Sequence, residues 1–354
     1  MLPSEVREQL AASVLDYNGT GASVMEIGVS TPAYNEIFSS AEARLRELLG
    51  IPQGYRVLFL GGGADTQYSA IPLNLLSDHK CADYVLTGRL SKNASGEAKK
   101  YGDIAIAASS AGASPAYSTV PALEPKHFRP DADYIHICYN NTFYGTKFPS
   151  VPDTGNIPLV ADMSSFLLSE PIDVTRFALI YASCDSCLGI SGLTVVIVRE
   201  DLCAGAIGGT PSVLNYKSLV DSTLGLSLAP VVSVYTAKLV FDWIASLGGL
   251  EEIKRRNERK ASLLYDYLDS QSYYTAPVHK KCRSMMNVIF VTSDASLDRR
   301  FADGACEVGL YNLGGHSSIG GMCASIYNAM PVEGVEELVR YMKRFAQENP
   351  KMEA

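Results

Sequence analysis

Apolar positions along this chain fall into two kinds of run. Short apolar or β-branched stretches bounded by glycine, proline or charge predict strands at Arg56–Leu60, Tyr84–Leu86, Ile104–Ala107, Tyr134–Cys138, Leu159–Ala161, Ala178–Ala182 and Thr194–Val198. Several are too uniformly apolar to alternate, as in a sheet covered on both faces. Longer stretches with helical spacing predict helices over Glu5–Tyr17 (capped by Ser4), Ser39–Leu49, from near Gln67, over Ser91–Tyr101, over Val231–Leu247 up to Gly248-Gly249, and over Glu251–Leu268. Ser23–Ile27 reads as a short extended piece. Strands alternating with helices predict an α/β fold with a mainly parallel central sheet. The remainder, Met286–Val291, Leu297–Val308 and Val335–Gln347, predicts a smaller α+β domain. The expected division is a large domain over residues 14–245 and a small one over 246–354, joined by residues 1–13.

Composition narrows the function. The chain has 354 residues, enough for two domains, with 47% hydrophobic and 19% charged positions, as in a folded soluble protein. A net charge of -8 and a pI near 5.2 argue against a nucleic-acid partner. The densest basic run, Lys254-Arg255-Arg256, reads as a solvated helix face. No N-terminal signal and no run of ~18 apolar residues is present, so no membrane partner is expected and a cytoplasmic location is the default. Eight cysteines are too sparse for a disulfide scaffold and fit reduced thiols.

Two stretches carry candidate chemistry. Gly61-Gly62-Gly63-Ala64-Asp65-Thr66 lies between a strand and a helix, where converging backbone N–H groups and the helix dipole make a generic anion cradle. The loop Ser183-Cys184-Asp185-Ser186-Cys187-Leu188-Gly189 joins two strands and gathers two thiols, a carboxylate and a hydroxyl. Cys184-x-x-Cys187 could share a metal, form a redox pair or supply a nucleophile, or place one thiol in the core. Ser186 as a nucleophile would need a base beside it, and adjacent Asp185 is expected to point elsewhere. His136, in an apolar strand, reads as a core residue.

A series of longer motifs then resembles the phosphoserine aminotransferase family, class V members of the fold-type I pyridoxal-phosphate enzymes. They are SVMEI (Ser23–Ile27), GGADTQ (Gly62–Gln67), IPLN (Ile71–Asn74), EAKKYG (Glu97–Gly102), NNT-x-x-GT (Asn140–Thr146), ADMSS (Ala161–Ser165), PIDV (Pro171–Val174), GLTVVIVREDL (Gly192–Leu202) and GG-x-x-ASIYNAMP-x-EGV (Gly320–Val335). The match spans nearly the whole chain. It implies the fold-type I architecture, a homodimer, and a small-molecule site in the cleft between subunits.

The resemblance also implies site residues. Gly62, Gly63 and Ala64 keep the phosphate turn, Asp162 stands where an aspartate pairs with the pyridinium nitrogen, and Thr142 and Ser164 stand among the polar groups around the cofactor. Other positions depart from the family pattern. The Schiff-base lysine aligns with Ser186, its flanking glutamine and asparagine with Asp185 and Cys187, and the ring-stacking tryptophan with Leu90. The substrate-binding His-Arg aligns with Val29-Ser30, two further arginines with Ser317 and Cys323, and a phosphate-binding Asn-Thr pair with Ser227-Leu228. Asp65 would face the phosphate with like charge.

From these departures three expectations follow. Pyridoxal phosphate is not expected to bind tightly or covalently. A metal is possible, with Cys184, Cys187, Cys323 and His316 as candidate ligands and His316 otherwise a structural residue. The function expected is a lysine-less homologue whose site (Cys184, Asp185, Ser186, Cys187 and His316) has been repurposed for another small molecule, as enzyme or binder. The alternatives are phosphoserine aminotransferase activity in serine biosynthesis, or a non-catalytic partner of a true aminotransferase.

Overall fold

The computed structural model describes residues 1–29, 31–221, 229–315 and 320–350. The apolar runs become β1 (Tyr55–Gly61), β2 (Cys81–Leu86), β3 (Asp103–Ser109) and β4 (Tyr134–Cys138). A small hairpin, β5 (Asn140–Asn141) with β6 (Thr146–Lys147), precedes β7 (Leu159–Asp162), β8 (Leu179–Ser183) and β9 (Leu193–Arg199). Without the hairpin, these form one seven-stranded sheet in the order β1-β9-β8-β7-β4-β2-β3. Only β9 runs against its neighbours β1 and β8; the other pairings are parallel. This is the mixed α/β architecture the alternation of elements implied.

The absence of alternation in the strands has a direct cause. On β9, Val195 and Ile197 enter one core with Phe59 and Ile180, while Val196 and Val198 enter a second core with Leu58, Leu60 and Tyr181. Both faces are dry, and each such side chain contributes about 1.5–3 kcal/mol by its burial. The first face is covered by α2 (Pro32–Leu49), which runs from a Thr31 cap on the Tyr34 N–H to left-handed Gly50. The second is covered by α3 (Ala64–Leu75) and α4 (Arg89–Ala98).

After α5 (Tyr216–Asp221), helix α6 (Val231–Ser246) packs on α2, and α7 (Leu250–Ser270) crosses from one core to another. Leu250 and Ile253 belong to the first core. Leu264 and Leu268 belong to a third, shared with β10 (Asn287–Phe290), α8 (Ala295–Glu307), β11 (Met322–Ser325) and α9 (Val332–Glu348). No single described helix is long and apolar enough to cross a membrane.

Three local expectations change. Helix α1 (Ser4–Leu15) has Pro3, not Ser4, at its cap, and the Ser4 hydroxyl turns to Glu5 Oε2 at 3.1 Å. Residues 1–13, grouped by the sequence division with the small domain, lie against α6: Val6 is in the first core and Ser13 Oγ meets Tyr235 OH at 2.8 Å. Ser23–Ile27 is not extended but a turn of 3₁₀ helix. Ser23 and Glu26 cap each other reciprocally, because S-x-x-E is a capping box.

Candidate active site

The parallel strands end together on one edge of the sheet, and their C-terminal ends carry the polar residues of the cleft, as open α/β sheets generally arrange a ligand site. At the end of β1 the chain turns through Gly62, whose φ is +108°. A Cβ there would lie 2.7 Å from Thr66 Oγ1, so only glycine fits. The turn is pinned from below by Gly62 N–H to Gly192 O at 3.1 Å and Thr194 Oγ1 to Gly62 O at 3.0 Å. Gly62 and Gly63 are exposed, and α3 begins at Ala64 with Asp65 in its first turn. The first N–H groups of a helix lack partners within it, the condition for holding a phosphate, although Thr66 N–H already meets Gly63 O at 3.1 Å.

Asp162, at the end of β7, is the buried anion of the cleft, 2% exposed. Its Oδ1 accepts from the Ser164 N–H at 2.9 Å and from the Ser164 hydroxyl at 2.6 Å. That hydroxyl in turn accepts from Ser183 N–H at 3.1 Å, which ties β7 to β8 through the carboxylate. Oδ2 is buried and has no hydrogen-bond partner among the described residues. Burial raises the carboxyl above its usual range, against the two Ser164 bonds and the Tyr181 hydroxyl, which also faces the carboxylate; the Asp65 charge adds to the rise. A buried oxygen without a donor is a costly arrangement.

The loop after β8 places its side chains in different directions. Ser183 Oγ donates to Asp185 Oδ1 at 3.1 Å, and Asp185 is exposed. Ser186 is half-buried and hydrogen-bonds the hydroxyl of Tyr327, which also accepts from Asn287 Nδ2 at 3.1 Å. Residue 186 thus offers a hydroxyl and no amine. Cys184 is fully buried in the first core, and its thiol is pushed well up by desolvation. Cys187 is buried, donates weakly to Ser165 O at 3.9 Å, and is pushed up to about 12 by burial.

Of the four candidate metal ligands, His316 lies outside the described residues, and the structure places the other three as follows. All eight cysteines are free, and no group of three His, Cys, Asp or Glu side chains among the described residues could hold an ion. Burial of Cys184 and Cys187 disfavours their thiolate forms, the forms that bind metals and attack. Cys323 is half-buried, 3.8 Å from Thr142 O, and burial raises it to about 11.

Of the remaining expected positions, Thr142 and Leu90 are half-buried, and Val29 is 40% exposed. Ser30, Ser227, Leu228, His316 and Ser317 lie outside the described residues. His136 is a core residue, as its strand implied: Nε2 meets Tyr181 OH at 2.9 Å, and burial lowers it to about 3. Two site residues were missed. Tyr327 reaches Ser186 from the small domain, Asn287 donates to Tyr327, and Asn287 Oδ1 accepts from Asn140 at 3.0 Å. The ASIYNAMP motif contained Tyr327, but nothing in its spacing showed that the hydroxyl crosses to residue 186.

A seven-stranded mixed sheet with an acidic residue at the end of a central strand, and a glycine turn at the head of α3, is the fold-type I pyridoxal-phosphate architecture. The chain matches the aminotransferase class-V family over residues 1–338 and belongs to that family. It is 44% identical to phosphoserine aminotransferase of Bacillus cereus over 99% of this chain and 96% of that one. It is 46% identical to phosphoserine aminotransferase of Nitrosomonas europaea over 98% and 95%. Among solved structures, phosphoserine aminotransferase from Bacillus circulans subsp. alkalophilus superposes with a TM-score of 0.94 at 41% identity, covering 98% of this chain and 96% of that one.

These relatives overturn the expectation that pyridoxal phosphate binds neither tightly nor covalently. A structure at 39% identity and TM-score 0.94, covering 99% and 97% of the two chains, is of a phosphoserine aminotransferase described for radiation damage of its Schiff base. Another, from Trichomonas vaginalis at 32% identity and TM-score 0.88, covering 97% of each chain, is described as bound to the cofactor. The physical weak point of the expectation was Asp162. A buried carboxylate oxygen without a direct donor favours a cationic partner.

Proposed function

We propose that this cleft holds pyridoxal phosphate and that the protein is an amino-group transferase of the phosphoserine aminotransferase kind. One observation carries the reading: the buried, unpartnered Oδ2 of Asp162 suits a protonated ring nitrogen, and the exposed N–H groups at the start of α3 suit a phosphate. Ser164 and Ser183 hold the carboxylate in place from behind. Tyr327, itself held by Asn287, hydrogen-bonds the Ser186 hydroxyl. When bound, the cofactor supplies an electron sink for the carbon bearing the amino group. The reading also takes the protein as a cytoplasmic homodimer with its cleft between subunits, as the family resemblance implies.

The test is direct. Pyridoxal phosphate is added to the purified chain, binding is followed by absorbance, and amino transfer from phosphoserine to 2-oxoglutarate is measured. Saturable binding with glutamate formed is the expected result; no saturable binding contradicts the reading. Borohydride reduction and peptide mapping then show which lysine, if any, carries the cofactor.

A second reading is favoured by specific residues: Ser186 has no amine, and Val29 and Cys323 carry no charge where the resemblance aligns a lysine, a histidine and an arginine. On that reading the inherited cleft serves a different small molecule. Cofactor binding without amino transfer from any amino-acid donor is its signature.

A further inference from the structure

A second cleft, of about 1010 Å³, lies between the start of α1, the end of α6, the outer face of α7 and the segments 309–313 and 324–338. None of Gly62, Thr142, Asp162, Ser164 and Ser186 lines it, but Tyr327, the partner of Ser186, does. Its walls are apolar and flat: half-buried Trp243, Leu247, Leu310, Met330 and Tyr311, whose side chain is 71% exposed. Its charge is mainly positive. Arg255 and Arg256 on the rim are engaged by Glu252 at 2.7 Å each. Arg7 and Arg259 also line the cleft, both exposed, and among the described residues neither has a carboxylate partner.

Lys260 closes the floor, its Nζ donating to Ile326 O at 3.0 Å and Tyr327 O at 2.7 Å. Two acids line the same space, Glu5 and Glu333, both exposed, and Glu5 already accepts from Ser4 Oγ at 3.1 Å. Apolar walls with a few convergent charges are the usual make-up of a small-molecule pocket, and free guanidinium groups favour a carboxylate or phosphate.

We propose that this cleft is a second binding site, separate from the Asp162 site, for a small anion with a flat apolar body: the body lies against Trp243 and Tyr311, and the charge meets Arg7 and Arg259. The same ligand class without charge lacks the partner those arginines need. The binding groups named, Arg7, Trp243, Arg259 and Tyr311, are not among the residues that surround Asp162 or the glycine turn, although Tyr327 belongs to both this wall and the Ser186 network.

Trp243 is the only tryptophan of the chain, so its emission reports on this cleft alone. The probe is 4-nitrobenzoate, a flat anionic quencher, titrated into the whole protein alongside neutral 4-nitrobenzamide. The expected result is saturable quenching by the anion, with affinity for the neutral analogue weaker by about tenfold or more, the loss of one charge-assisted bond. The Arg7→Met/Arg259→Met double variant, exposed positions whose folding is checked by thermal midpoint, should weaken the anion by a similar factor. Asp162→Asn should leave the titration unchanged. Linear, unsaturable quenching, equal quenching by both probes, an unaffected double variant, or loss of binding in Asp162→Asn would each overturn the proposal.

Discussion

The two ends of the active-site cleft are built to different standards of completeness. At the Asp162 end Ser183 N–H reaches Ser164 and Ser164 reaches Oδ1, while Oδ2, with the Tyr181 hydroxyl facing the carboxylate, makes no direct hydrogen bond among the described residues. At the residue 186 end a chain of hydrogen bonds runs from Ser186 through Tyr327 and Asn287 to Asn140. The first end has an open valence shaped for a cation. The second has a stable hydroxyl network in the place where the family resemblance puts an amine. The contrast teaches that recognition of a ring and provision of a reactive amine are separable properties of one pocket, carried on different strands.

Several substitutions can break or sharpen that contrast. The largest effect belongs to Ser186→Lys. Restoring a positioned amine should raise amino transfer from phosphoserine by about 10²–10⁴-fold, the share a positioned acid–base group contributes. Steady-state rates with saturating pyridoxal phosphate read it, and an unchanged rate would mean that the residue 186 end does not limit the reaction.

Next comes the stability of the cofactor-free protein. Burial raises the Asp162 carboxyl, so the folded state holds that proton more tightly than the unfolded chain. Stability contributed by the protonated form is therefore full below the ordinary carboxylate range, about pH 4, and is lost as pH rises through the raised folded value. Asp162→Asn removes this loss and should stabilise the free protein at pH 7 by about 1–3 kcal/mol. The difference should shrink below about pH 4. Urea denaturation across that range measures it, and a destabilised variant at pH 7 would show that Oδ2 has a partner after all.

The smallest effect is expected at the thiols. Cys184→Ala/Cys187→Ala should cost about 1–3 kcal/mol of folding stability, as loss of buried packing. Cofactor affinity should stay within about twofold, because neither thiol reaches the cleft. Elemental analysis of the parent should find no stoichiometric metal; a metal lost on this substitution would restore a ligand role to the loop.

Much of the frame was legible before any coordinates. Runs such as Tyr134–Cys138 and Thr194–Val198 were uniformly apolar because both sheet faces are covered, and they fell where strands formed. The glycine turn was legible because a strand, three glycines and a helix start leave few other conformations. Asp162 and Ser164 came from a motif, ADMSS, and their contact follows from being two residues apart at a strand end. The direction of the thiols was not legible because C-x-x-C spacing does not fix it: Cys184 continues the inward side of β8, and Cys187 turns toward the Ser165 carbonyl. Tyr327 and Asn287 were hidden because their partner lies over a hundred positions away, a distance no local pattern spans.

The central claim is that Oδ2 of Asp162 receives the ring nitrogen of pyridoxal phosphate. Titrating the cofactor onto the parent and onto Asp162→Asn, by absorbance at pH 7.5, tests it most directly. The account expects the variant to bind at least about 30-fold more weakly, the effect of removing one partner from a buried charge pair. Equal affinity in the two proteins would contradict it.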